Sequence, residues 1–352
     1  NELIDSMTQT LEQPDKFDRF AQRVGGDAAG AKEGLTTWRD RLVARRTRNP
    51  IPEDNQPGFG RDDAFNKLVN EIAGGFLGIP ENAGTANAAA SFPHVWDAPQ
   101  HDFVQWNGAI PNAGFGPALR NIGEVLGVFG TIDIHPARGT LPNYAKTSAE
   151  TKNLNAIEQD LWALTSPRWP EKLVPIDRRL ADAGKPLFEQ NCGVCHLPID
   201  RTSPSRRIVA QMKDVGTDAT LNQAAARRVK TGRLQGTPKL LLPNVVFQEE
   251  DSAIDVMLNA VFGAYLAHRR DFQVVPTLAS NEAQRTTAPP SLGRLVDALE
   301  GDVKQAVGQY QAAATTVRQA IEAARKTGGP MANLYKARPL NGIWATAPYL
   351  HN

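Results

Sequence analysis

The chain holds two cysteines, three positions apart, with a histidine directly behind the second: Cys192-Gly193-Val194-Cys195-His196. This C-x-x-C-H spacing attaches a c-type haem. Thiols so spaced reach the two vinyl groups on one edge of a porphyrin, and the adjacent histidine falls under the iron as proximal ligand. Three rival chemistries fit less well. A thioredoxin-like C-x-x-C needs a strand just before it within a βαβ unit, and no such pattern precedes Cys192. A structural zinc site needs four ligands, and both cysteines are already used here. A disulfide across two intervening residues would be strained. Covalent haem at Cys192, Cys195 and His196 is the expectation.

The elements around the motif must present both thiols from one side. The preceding stretch AGKPLFEQN, with Leu187-Phe188, fits a short helix that does so. A linker at Ser166-Pro167-Arg168-Trp169-Pro170 marks where the haem unit starts. This gives an N-terminal region 1–170 and a cytochrome c-like domain 171–352.

Upstream, apolar stripes predict three helices within residues 1–48, the second ended by Gly25-Gly26 and the third by a basic tail, Arg45-Arg46-Thr47-Arg48. A proline- and glycine-rich loop follows from Asn49 to Gly60, then a helix over Asp62 to Leu77. The stretch from Phe92 to Gly130 mixes tryptophan, histidine and glycine and suits a loop over a flat aromatic cofactor, with Trp96, Phe103 or Trp106 at its edge. Those aromatics would equally well fill a core. Within this stretch Asn121 reads as the cap of a short helix. Further helices are expected over Glu150 to Leu164, from a cap at Thr217 or Asp218 through Val229, over Ser252 to His268, and over Ser291 to Lys326.

The bulk numbers set limits. At 352 residues, two cores can form. Lysine and arginine total 39 against 38 acidic residues, so no overall field draws the chain to nucleic acid or a membrane surface. No apolar run reaches the length of a spanning helix. With 25 prolines, 29 glycines and few strand signals, the fold class expected is mainly α and loop-rich, with little β. The chain opens at Asn1 with neither a signal peptide nor an initiator methionine, as a mature protein or an internal fragment would.

Taken in order, FPHVWDAPQHDFVQWNG with RNIGEVLG, LFEQNCGVCH, VGTD and LNGIWATAPYLHN resemble the bacterial di-haem c-type proteins. The nearest of these are the rubber oxygenases; the di-haem cytochrome c peroxidases and the di-haem enzyme that matures methylamine dehydrogenase lie further off. The resemblance runs over about residues 50–352. Members carry two haem motifs, so the one present here looks like the second. The first would sit upstream of residue 1 or be lost, and the chain reads as a fragment.

The resemblance implies a periplasmic or extracellular bacterial location, because thioether attachment happens outside the cytoplasm. It also implies electron transfer with a redox protein as donor or acceptor, with a larger complex as a further expectation. Two alternatives stand beside it: a haem enzyme acting on peroxide, or on an apolar substrate with dioxygen, and a haem-bearing accessory subunit. Trp96 takes the place of the family's relay tryptophan between haems. Thr346 and Pro348 match a segment that holds calcium through hydroxyl and carbonyl oxygens. Opposite His196 the candidates are His94, His101, His135, His268 and His351, with Met7, Met212, Met257 and Met331. His351 stands first as a residue beside the haem, and Met257 reads as core. His94 and His101 flank Trp96 and are candidate donors to the haem carboxylates or to a second cofactor, and Arg206, Arg207 and Arg338 are candidate partners for those carboxylates.

Overall fold

The computed structural model describes residues 2–108, 110–112, 115–135, 144–201, 208, 211–214, 216, 218–240, 242–272 and 334–346. Helix dominates and strand is confined to short ribbons, so the chain is mainly α, as its composition indicates. The helix expected over residues 291–326 lies outside the described residues, as do Thr217, Arg206, Arg207, Met331, Pro348 and His351.

Helices α1 (Glu2–Glu12), α2 (Pro14–Val24) and α3 (Ala28–Arg48) pack on one another at the N-terminus. Pro14 opens α2, Gly25 closes it at φ 71, and Asp27 caps α3 through the Gly30 amide at 2.6 Å. The basic tail of α3 is anchored. Arg48 reaches the buried Glu71 carboxylate at 2.7 Å, and Asn49 donates to the same group at 2.8 Å.

Helix α4 (Ala64–Val69), capped by Asp63, passes directly into a π turn over Asn70–Phe76. The single helix expected over 62–77 is therefore two windings. Gly74 lies against the Ala83 backbone and Gly75 against the Arg48 side chain, so the wider turn accommodates packing from both sides. Helix α5 (Gly116–Val128) starts five residues before the expected start, with Pro117 in its first turn, and Asn121 lies inside it rather than capping it. Helix α6 (Thr151–Ala163) and helix α7 (Arg178–Asn191) follow, the latter capped by Asp177 through the Leu180 amide at 3.1 Å.

Helix α8 (Thr220–Ala226) stops where a strand takes over, so the expected continuation through Val229 does not occur. Arg227 to Lys230 has one buried position, Val229, between exposed neighbours, the alternation of a strand edge. Helix α9 (Ala253–His268) is capped by Ser252 and is apolar on nearly every side.

Among the described residues, strands come as five antiparallel pairs. In chain order they are β1 (Arg61–Asp62), β2 (Ala90–Ser91), β3 (Phe103–Val104), β4 (Ile110–Pro111), β5 (Gln211–Asp214), β6 (Arg228–Lys230), β7 (Pro238–Lys239), β8 (Leu242–Val246), β9 (Glu250–Ser252) and β10 (Leu334–Ala337). Four pairs join near neighbours in sequence. The fifth, β5 with β10, places Tyr335 opposite Lys213 and brings the last described segment back to the middle of the chain.

The core lies between α4, α5, α9 and the π turn. Val69, Ile72, Ile122, Leu126, Val256 and Ala264 are fully enclosed, each large one contributing roughly 1.5–3 kcal/mol by burial. Gly263 lets α9 approach the Tyr144 ring, which a Cβ there would meet at 2.3 Å. Met257 is in this core, as its stripe indicates. Buried residues come from both sides of position 170.

Candidate functional site

The haem motif follows α7 directly, as the turn that closes it. The Cys192 amide donates to the Phe188 carbonyl at 2.8 Å, and the His196 amide to the Cys192 carbonyl at 2.8 Å. Both thiols are unbonded, Cys192 exposed and Cys195 half-buried. The motif thus stands at the helix end with both sulfurs accessible to one partner.

The His196 imidazole is fixed by a residue distant in sequence. Its Nδ1 lies 2.6 Å from the carbonyl oxygen of Arg338. A carbonyl can only accept, so Nδ1 carries the proton and donates, and the Nε2 lone pair is left for a metal. This arrangement orients an axial histidine and increases its basicity.

The same segment grips the chain just beyond the motif. The Ile199 amide donates to Asn341 Oδ1 at 2.9 Å, and Asn341 Nδ2 donates to the Ile199 carbonyl at 3.3 Å. Gly342 follows with φ 76, and a Cβ there would lie 2.6 Å from Pro167 Cδ. Trp344 donates to the Pro167 carbonyl at 3.3 Å and meets the Trp169 ring edge-on, centroids 5.4 Å apart. The linker at Ser166–Pro170 and the end of the described chain therefore close on each other beside the motif.

Trp96 belongs to this neighbourhood. Its indole donates to the Asn341 carbonyl at 3.1 Å, and its ring stacks on His94 with centroids 4.4 Å apart. Arg338 Nη2 donates to the His94 carbonyl at 3.1 Å. The structure thus gathers His196, Trp96, His94 and Arg338 on one anchoring segment, residues 338–341. Trp106 instead donates to the Ser91 carbonyl and packs against the core. Thr346 ends the last short helical turn, its hydroxyl donating to the Ile343 carbonyl at 2.7 Å. His268 closes α9 with Nε2 near the Ala145 carbonyl at 3.1 Å, away from these contacts.

Burial and neighbouring cations govern the electrostatics. Burial, then Arg338, push His94 down to about 3. Burial, then Lys336 and Arg338, hold His101 at about 2, so both imidazoles are neutral. Burial, then Arg338, bring the Lys336 ammonium down to about 7, against an opposing pull from Asp102. Burial lowers Arg338 to about 10 despite Asp97.

A c-type haem fits the donor set and the surface. Among the described residues no three histidine, cysteine or acidic side chains cluster to hold a metal ion by themselves. Helix α7 has no buried residue. Leu180, Leu187, Val194 and Leu197 are 59%, 61%, 59% and 51% exposed, an apolar surface around the motif that a porphyrin face would cover. Sequence reasoning overlooked Lys336 and Asn341. Neither carries a local signal, since each matters only through partners more than a hundred residues away.

Comparisons with known proteins agree with this site. Residues 334–352 match the family described as RoxA-like, cytochrome c-like, and the described part of that match holds β10, Arg338 and Asn341. The match and the motif together support a haem c cytochrome. Two proteins of Sinorhizobium fredii are similar over much longer stretches. Uncharacterized protein y4iJ is 28% identical over 97% of this chain and 55% of its own length. Uncharacterized protein y4iM is 25% identical over 74% of this chain and 41% of its own length. The chain spans about half the length of the curated relatives it matches. No solved structure matches.

Proposed function

We propose that this chain is the haem-bearing module of a bacterial periplasmic or extracellular redox protein, and that it passes electrons to or from a protein partner. One observation carries the proposal: His196, next to two free thiols, has its Nδ1 committed to the Arg338 carbonyl and its Nε2 free for iron. Cys192 and Cys195 would hold the haem through thioethers and His196 would be the proximal ligand. When bound, the group supplies a one-electron couple at the iron.

The chain's own residues do the rest. The Arg338 carbonyl sets the direction of the His196 ring, and the Asn341 clasp on Ile199 keeps the motif from swinging away from that carbonyl. The exposed leucines and valine of α7 and the motif exclude water from one face, which tunes the couple. The stacked His94 and Trp96 join the site to the 92–104 segment and offer an aromatic exit from it. The proposal includes a second haem in the longer protein, outside this chain, with Trp96 between the two.

The test is to express the chain in a host with a c-type maturation system and weigh it. One haem mass is expected, lost in the Cys192→Ser, Cys195→Ser double variant. The bound iron is expected to be six-coordinate and unreactive toward added peroxide. Absence of any haem mass on the wild-type chain overturns the reading; rapid reaction with peroxide replaces electron transfer by an enzymatic role.

A further inference from the structure

Three basic side chains are withdrawn from water behind the segment that anchors His196. Arg338 is 8% exposed, Lys336 7% and His101 3%. The Nε of Arg338 and the Nδ1 of His101 are both buried without a hydrogen-bond partner. Lys336 Nζ donates one proton to the Phe103 carbonyl at 2.7 Å, and an ammonium has three to give. A buried donor without a partner costs about 1–3 kcal/mol, and native structures leave few of them. Arg338 Nε is such a donor, and His101 Nδ1 is one in the tautomer that carries its proton there; beside a buried ammonium they mark a place for an acceptor.

The charges around this place favour an anion. Arg120 also presses on His101, and is itself matched by Glu158. Two carboxylates oppose part of this positive charge, Asp97 acting on Arg338 and Asp102 on Lys336. Asp97 accepts from the Ser166 amide at 3.0 Å, so one of its oxygens is turned to the linker. Arg338 ties the cluster to the motif, because its own carbonyl takes the His196 proton.

We infer that Arg338, Lys336 and His101 form a carboxylate pocket that receives the propionates of the haem held at Cys192, Cys195 and His196. This rests on the proposed haem attachment. It assigns the unpartnered donors to the one carboxylate-bearing group that His196 would bring beside them. A carboxylate in the pocket restores the ammonium form of Lys336 that burial alone disfavours. The cation then opposes the ferric charge and raises the reduction potential.

The experiment uses the matured holoprotein and the variants Lys336→Met and His101→Gln, with Lys185→Met as control, an exposed lysine of α7. Two quantities are read: the propionate-bending band in resonance Raman and the midpoint potential. Both neutral variants are expected to shift the band, Lys336→Met is expected to lower the potential, and Lys185→Met to change neither. Haem attached normally, with band and potential of Lys336→Met and His101→Gln equal to wild type, overturns this inference and leaves the attachment standing. A wild-type chain without haem overturns both. Titrating acetate into the wild-type holoprotein separates the sources of the carboxylate. No Lys336-dependent binding is expected if the haem's own carboxylates occupy the pocket. Acetate binding that Lys336→Met abolishes assigns the pocket to a free anion and overturns the inference.

Discussion

The Nδ1 of His196 and the carbonyl oxygen of Arg338 are 2.6 Å apart across 142 residues of sequence. The residue after Arg338 is Pro339, which is buried. A following proline restricts Arg338 to extended backbone and so limits where its carbonyl can point. The ring of the proposed axial ligand is therefore oriented by a backbone that proline has stiffened. Replacing Pro339 by alanine is expected to cost roughly 0.4–1 kcal/mol of stability through the unfolded chain. It should also broaden the ferric resonances of the holoprotein in electron paramagnetic spectra. Unchanged spectra in a destabilised variant would show that the carbonyl is held by other contacts.

Asn341 closes a two-way clasp on the backbone of Ile199. Asn341→Ala removes both hydrogen bonds and is expected to cost about 1–2 kcal/mol. The more specific readout is amide exchange at Ile199, which should accelerate markedly in the alanine variant. Asn341→Asp keeps an acceptor for the Ile199 amide but loses the donor, so its exchange rate should lie close to wild type. If both variants exchange like wild type, the clasp does not hold the loop behind the motif.

Gly342 and Gly184 make opposite predictions. Gly342 has φ 76 and faces Pro167 at 2.6 Å from an added Cβ, so Gly342→Ala meets both backbone strain and a backbone-linked ring. A loss of roughly 1–3 kcal/mol is expected. Gly184 lies in the middle of α7 with nothing within 4 Å. Gly184→Ala should stabilise the chain by up to about 1 kcal/mol through helix propensity. Denaturant midpoints of the two variants, moving in opposite directions, would check both statements.

What the sequence made legible was local. The haem motif, the helix over Glu150 to Leu164 and the apolar stripe of α9 each depend on residues within a turn or two. The π turn over Asn70–Phe76 was not legible, because its cause is packing of Ala83 and Arg48 against a pair of glycines. Strand β6 looked like the tail of a helix, because the short apolar alternation around Val229 is hidden by the alanines before it. Arg338 was visible only as a basic residue near haem. That its carbonyl, rather than its guanidinium, meets His196 follows from the return of β10 to β5, which no local pattern encodes.

The buried bases make the stability of the haem-free chain depend on pH in a defined sense. His94 and His101 titrate near 6.5 in an unfolded chain but only at about 3 and about 2 in the folded one. Between pH 6.5 and 3 the unfolded state therefore binds more protons, and stability falls as pH falls. For His101 alone the loss at pH 5 amounts to at most about 2 kcal/mol. Lys336 behaves alike in a higher window: its folded value of about 7 lies below its unfolded 10.5, so stability rises as pH rises from 7 toward 10.5. Urea midpoints measured from pH 7 to 4 should drop steadily for the wild-type chain and less steeply for His101→Gln, which has no proton to take up. Midpoints from pH 7 to 10 should rise for the wild-type chain and lose that rise in Lys336→Met. Parallel wild-type and variant curves in either window would mean that the corresponding base is charged, and therefore partnered, in the folded protein.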